Sequence, residues 1–274
     1  MRTAVLGHVE WVDFVRVERV PALGEIIRAL EAWEEPAGGG GVSAVQLAKL
    51  AGSCTLFTAL GDDERGRRAR GGLSSLGVRV EATTRAEPQR RAVTFVDATG
   101  ERSITVIGNR IAAAASDPLS WGELAETDAV YLCAADAAAI RLARRARVLV
   151  ATARILPVLR EAGVVLDALV GSLRDPSERY RHGDLDPAPN RVVLTDGDKG
   201  GEIWERDGTS RRYSPAPLPA PVVDTYGAGD SFAAGLAYGL AASGSGDEAV
   251  AFAARCGAAA LTGRGAFAGQ LRIA

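Results

Sequence analysis

Short apolar runs alternate with helical patterns along the whole chain, and this rhythm constrains the fold more than any other feature. "TAVLG" (Thr3–Gly7) reads as a buried first strand ending at a glycine, and "SAVQLAKLAG" (Ser43–Gly52) as a helix stopped by Gly52. "CTLFTAL" (Cys54–Leu60) is the next strand, followed by a helix over "DDERGRRARGGLSSLG" (Asp62–Gly77). Further strands are expected near Ala129–Cys133, Val148–Ala151, Ala168–Val170 and Val192–Thr195, with helical segments between them. Successive parallel strands need a crossover, usually a helix, and strands covered on both faces read as continuous apolar runs. The pattern therefore predicts an α/β fold with a mainly parallel central sheet flanked by helices.

Two stretches break the rhythm. "RRAVTFVDATGERSITVIG" (Arg90–Gly108) alternates with period two on both sides of "DATG", a hairpin signature. "WVDFVRVERV" (Trp11–Val20) alternates more loosely. Together they predict a small separate β-sheet built from residues near 11–35 and 90–110. The proline-rich "SPAPLPAPVV" (Ser214–Val223) is expected to be an extended connection, and "GDEAVAFAARCGAAALTGRG" (Gly246–Gly265) a small-residue helix suited to close packing.

Composition removes several function classes. The 274 residues, 47% hydrophobic and 24% charged, suffice for one large domain or two small ones, and we expect a single domain over 1–274. A net charge of −2 lacks the concentrated basic face that nucleic acid requires, and "ERGRRAR" (Glu64–Arg70) reads as a solvated helix face. Cys54, Cys133 and Cys256 are widely spaced in apolar runs, as expected of reduced core residues in a cytoplasmic protein. Two histidines, His8 and His182, cannot build a metal site alone. The N-terminal apolar run is shorter than a signal peptide requires, and no uncharged stretch is long enough to cross a bilayer.

"VVDTYGAGDSFAAG" (Val222–Gly235) carries the chemistry. Gly227 and Gly229 permit a sharp turn into a helix and leave peptide N–H groups facing outward. A helix starting near Asp230 adds its unpaired N–H groups and positive dipole end, so the loop is an anion cradle. Asp230 can act as the helix N-cap, or as the general base that takes a proton from an attacking hydroxyl. The loop is neither a Walker motif nor a G-x-G-x-x-G fingerprint.

"DTYGAGD" resembles the C-terminal signature of the ribokinase-like (PfkB) carbohydrate kinases. The resemblance implies Asp230 as catalytic base, the amides of Gly227, Ala228 and Gly229 as the anion hole, and Asp224 as an acid that binds a monovalent cation (K+) or shapes the loop. "AGGGGVSAVQLAKLAG" is similar to the family's N-terminal glycine signature, implying Gly38, Gly39 and Ser43 at the substrate, with Ser43 standing where the family has Asn. Asp13 is the family's substrate-binding acid shifted by about one residue, with Glu10 competing for the role. "GSLRDPSERY" resembles an Asn-x-x-Glu stretch near Mg2+, placing Asp175 and Glu178 at the metal. "VVLTDGDKGG" resembles a nucleotide-binding turn, implicating Thr195, Gly197 and Gly200. Asp62 and Asp63 read as helix-start acids.

These motifs occur in family order over nearly the whole chain. They imply a ribokinase-like fold with a small β lid, and ATP- and Mg2+-dependent transfer of the γ-phosphate to an alcohol of a sugar or sugar-like molecule. They also imply a homodimer formed through the lid. Two other readings stay open. A nucleoside kinase would need an aromatic lid surface, which Trp11, Phe14 and Trp33 could supply; a regulatory nucleotide-binding protein would have lost catalysis. A phosphorylated sugar would want a basic lid group, for which Arg91 and Arg102 are candidates.

Overall fold

The computed structural model describes residues 1–273. Its first seven strands are β1 (Thr3–Leu6), β2 (Glu10–Arg16), β3 (Glu31–Ala37), β4 (Cys54–Gly61), β5 (Val78–Arg85), β6 (Arg91–Val96) and β7 (Arg102–Ile107). Six more follow: β8 (Ala129–Leu132), β9 (Val148–Thr152), β10 (Ala168–Ser172), β11 (Arg191–Thr195), β12 (Gly201–Glu205) and β13 (Ser210–Tyr213). The α-helices are α1 (Gly38–Ala51), α2 (Glu64–Ser75), α3 (Ala137–Ala143), α4 (Leu156–Ala162), α5 (Ala228–Ser243) and α6 (Gly246–Ala260).

A nine-stranded sheet runs β13-β12-β11-β10-β9-β8-β1-β4-β5. It is parallel from β5 to β11, and the β12–β13 hairpin adds an antiparallel edge. The hairpin and β5 are the strands of this sheet that the apolar-run rule did not predict. They form its margins and bury fewer side chains, so their sequences lack a continuous apolar run. Both faces are covered. In β1, Val5 points into a core with α1, α5 and α6, while Ala4 and Leu6 point into a second core with α3 and α4. Period-two geometry thus explains why "TAVLG" is apolar throughout. Buried alanines such as Ala233 and Ala237 on α5 and Ala249 and Ala253 on α6 let those helices pack together. Asp63 caps α2 by accepting from the Gly66 amide at 2.8 Å, as its place at a helix start suggests.

The four-stranded second sheet runs β3-β2-β6-β7, with β2 and β6 parallel and the outer pairs antiparallel. β3 ("EAWEEPA") is acid-rich and contains Pro36, so propensity alone does not mark it as a strand. The alternation of β2 decides which side chains reach the large sheet's cleft. Glu10, Val12 and Phe14 share one face, and Phe14 packs edge-on against Tyr226 at a ring separation of 4.9 Å. Trp11 and Asp13 share the other, where the Arg68 guanidinium of α2 lies 4.3 Å above the Trp11 ring.

Candidate active site

In the parallel sheet the C-terminal strand ends share one edge, where open α/β sheets bind ligands. His8 and Glu10 follow β1, Cys133 follows β8, Arg154 follows β9, Asp175 and Glu178 follow β10, and Gly197 follows β11. The N-termini of α1 and α5 converge on the same edge. The Gly38 amide donates to the Tyr226 hydroxyl at 3.3 Å, and the Ser43 hydroxyl donates to the Asp230 carbonyl at 3.2 Å.

The "DTYGAGD" turn is built around Gly227, which has a left-handed φ of 75° and occupies the α5 N-cap position. A side chain there would be strained and would meet Val42 at 2.9 Å. The first intrahelical bond of α5 runs from Ser231 N–H to Gly227 C=O, and the amides of Ala228, Gly229 and Asp230 have no protein acceptor among the described residues. Space beyond the Gly229 Cα is open. The anion cradle expected from the glycines is therefore present as geometry. Asp224 holds it from below. Its buried carboxylate accepts from Tyr226 N–H at 2.8 Å and from Gly265 N–H at 3.0 Å, tying two turns together.

Asp230 stands in the first turn of α5, on the helix rather than at its N-cap. A Cβ on Gly39 would lie 3.1 Å from its Oδ1, so α1 must approach without a side chain at that position. Burial, helped by the charge of Glu178, pushes the Asp230 carboxyl up to about 7, against the opposing charges of Arg154 and Arg102. A carboxyl poised there can exchange a proton near neutrality.

Arg154 sits between the two carboxylates expected at the metal. Its Nη2 is 2.8 Å from Asp175 Oδ2 and 2.6 Å from Glu178 Oε1. Thr195 ends β11 with its hydroxyl donating to the Gly171 carbonyl at 3.2 Å, and Gly197 and Gly200 flank a 3-10 turn against which Arg174 lies. These residues share the sheet edge with Asp230, and the turn expected at the nucleotide follows β11, two strands beyond β9.

Two expected substrate contacts fall elsewhere. Asp13 points to the α2 side of the small sheet, where it pairs with Arg91 at 2.9 Å. Ser43 is fully buried, with its hydroxyl spent on the α5 backbone. Glu10 lies on the cleft side instead, 3.6 Å from His8 Nε2 and 2.9 Å from Arg90 Nε. Despite desolvation, those neighbours hold its carboxyl below the ordinary value. His8, Arg90, Arg110, Arg154 and Tyr226 were not singled out from the sequence. They are isolated along the chain, and only the crossovers gather them.

The sequence profile described as pfkB family carbohydrate kinase matches residues 2–181 and 166–271. The chain belongs to the PfkB carbohydrate kinase family. The kinase is 30% identical over 277 residues to the ATP-dependent ribose-1-phosphate kinase of Halopiger xanaduensis, covering 94% of this chain and 91% of that one. Its fold matches the ribokinase of Thermotoga maritima with a TM-score of 0.79 at 22% identity, covering 99% and 96% of the two chains. It also matches an Arabidopsis thaliana ribokinase complexed with ribose and ATP, with a TM-score of 0.77 at 22% identity and coverage of 99% and 96%. The fold is ribokinase-like, and the family transfers phosphate to a hydroxyl. No helix among the described residues is long and apolar enough to cross a membrane.

Proposed function

We propose that this kinase transfers the γ-phosphate of ATP to an alcohol of a sugar or sugar-like molecule, with Asp230 taking the hydroxyl proton. One observation carries the reading: a carboxyl raised to about 7 stands one residue beyond Gly229, in a helical turn whose amides are free to receive an anion. Those amides would stabilise charge developing on the transferred group, and the carboxylate would orient and deprotonate the nucleophile.

Asp175 and Glu178 fit a magnesium ion that draws its other ligands from phosphate and water. No cluster of three His, Cys, Asp or Glu side chains among the described residues would cage a metal by itself. When bound, magnesium would neutralise charge on the phosphates. Arg154 keeps the two carboxylates close together. We assign Asp224 to shaping the cradle loop, because each of its oxygens accepts a buried amide. A K+ dependence would be read by comparing rates in K+ and Na+. Thr195, Gly197 and Gly200 would lie along the nucleotide, and Gly38, Gly39 and Glu10 would face the acceptor.

The nucleoside-kinase reading loses its main support. Phe14 stacks on Trp33 and abuts Tyr226, while Arg264 and Arg68 cover Trp33 and Trp11. Those rings are consumed by packing and leave no aromatic platform for a base. The small sheet would act as the lid of a single domain spanning 1–274. Exposed Ile104 and Val106 on β7, with Leu23 and Ile26 in the β2–β3 connection, support a homodimer formed through it. Light scattering would report that dimer.

The test is ADP release with ATP and Mg2+ across sugars, sugar phosphates and nucleosides, in wild type and Asp230→Asn. Acceptor-dependent release abolished by the substitution supports the reading. Tight ATP binding without release for any acceptor would favour a regulatory nucleotide-binding protein.

A further inference from the structure

Strand propensity does not explain the acids of β3 ("EAWEEPA"), and their contacts do. Side chains two residues apart on a strand share a face. Glu31, Trp33 and Glu35 all meet the segment that follows α6. Glu31 pairs with Arg264 at 2.6 Å, and the Arg264 guanidinium lies 3.9 Å above the Trp33 ring. Glu35 accepts from Ala266 N–H at 2.7 Å. Glu34, on the other face, pairs with Arg68 of α2 at 3.0 Å. Gly265 makes room for Glu35: its φ is +66°, and a Cβ there would lie 2.6 Å from Glu35 Oε2.

Gly265 is also where the cradle loop is anchored. Its N–H goes to Asp224, so consecutive amides of one turn are held by an acid of the cradle loop and an acid of the small sheet. The hairpin between β6 and β7 meets the same loop from another side. Thr225 N–H donates to the Gly100 carbonyl at 3.0 Å, and the Thr225 hydroxyl donates to Glu101 Oε1 at 3.0 Å. The amides of Val223 and Asp224 go instead to the Leu261 carbonyl just past α6. The small sheet therefore bears on the loop at two places, directly at Thr225 and through the Gly265–Ala266 turn at Asp224.

Donors that stabilise a transferred group act best when they are held in place beforehand. We propose that Glu35 is a positioning residue for phosphoryl transfer, fixing the Gly265–Ala266 turn from the small sheet and, through Asp224, the α5 cradle. The grip on the γ-phosphate then depends on how that sheet is seated. This rests on the kinase reading above. Asp224 also holds Tyr226 N–H, shortly before the free amides of Ala228, Gly229 and Asp230, so a displaced Asp224 moves them. Glu35 acts through backbone turns and needs no contact with nucleotide or acceptor.

The test is calorimetry with Mg·ADP and with Mg·AMP-PNP, a non-hydrolysable ATP analogue, because only the second carries a γ-phosphoryl group for the cradle. Amide hydrogen exchange of the Thr225–Ser231 peptide is followed alongside. In Glu35→Ala the Kd for AMP-PNP should rise about three- to thirtyfold and that for ADP less than about twofold, with faster exchange in the peptide. Glu35→Gln keeps an oxygen for Ala266 N–H and should restore most of the difference. Glu34→Gln should match wild type. Should Glu35→Ala fail to fold, Glu35→Asp, which draws the carboxylate back by one methylene, should show the same changes at smaller size. A lower Tm with both Kd values and the exchange unchanged would make Glu35 structural only and overturn the proposal. An equal rise for both nucleotides would overturn it too. If wild type binds neither nucleotide, the kinase reading fails and exchange alone decides. Faster exchange in Glu35→Ala then keeps the tie between Glu35 and the cradle, and unchanged exchange removes it.

Discussion

Replacing Asp230 by Asn should make the protein more stable as it makes the enzyme slower, and the stability gain should depend on pH. The carboxyl titrates near 7 in the fold, chiefly because burial disfavours its charge. In an unfolded chain it titrates near 3.9. Between about pH 4 and 7 the folded state therefore holds a proton that the unfolded state has lost, and stability falls as pH rises. A separation of about three pH units at about 1.36 kcal/mol each sets a ceiling of about 4 kcal/mol. Asn keeps the shape without the charge. Its advantage should be small at about pH 4, grow until about pH 7 and stay level above that. Urea unfolding of both proteins at about pH 4.5, 6, 7.5 and 9 measures this difference directly. Turnover should fall about 10²- to 10⁴-fold in the variant, the usual worth of a general base. In the wild type, kcat/KM should rise with pH through about 7. Parallel stability curves for the two proteins would refute the argument, because they would mean that the fold does not penalise the Asp230 charge.

Other substitutions probe the shell around that carboxyl. Arg154→Gln removes a positive charge that holds the Asp230 carboxyl down, so the acid limb of the kcat/KM profile should move to higher pH; an unmoved limb would count against their coupling. Gly227→Ala forces a side chain into a left-handed turn at φ 75° and against Val42, which should cost about 1–2 kcal/mol in chemical denaturation and weaken ATP binding in calorimetry. Asp224→Ala strands the amides of Tyr226 and Gly265 and should cost about 2–5 kcal/mol, read as a Tm lower by about 5–15 °C.

The glycine-turn signals were legible because each is local. A turn and a helix start lie together within Val222–Gly235, and a strand and a 3-10 turn within Val192–Gly201, and both turns are made at glycines with positive φ. Asp63 was readable as a cap for the same reason. The cluster around Glu10 was not readable, because its residues come from four separate places. His8 and Glu10 follow β1, Arg90 and Arg110 flank the β6–β7 hairpin, and Arg154 follows β9. None belongs to a pattern that a spacing rule can register.

By itself the sequence determined the class of the fold and the place of the cradle, since apolar runs dictate a doubly covered sheet and glycines dictate where a helix can open onto an anion. Tertiary structure alone decided which acids face the cleft. Glu10 and Asp13 lie three residues apart on one strand, and side chains separated by an odd number of residues point to opposite faces. Their sequence surroundings differ little. Docking the Phe14 face of β2 onto Tyr226 turned Glu10 toward the cleft and Asp13 toward α2.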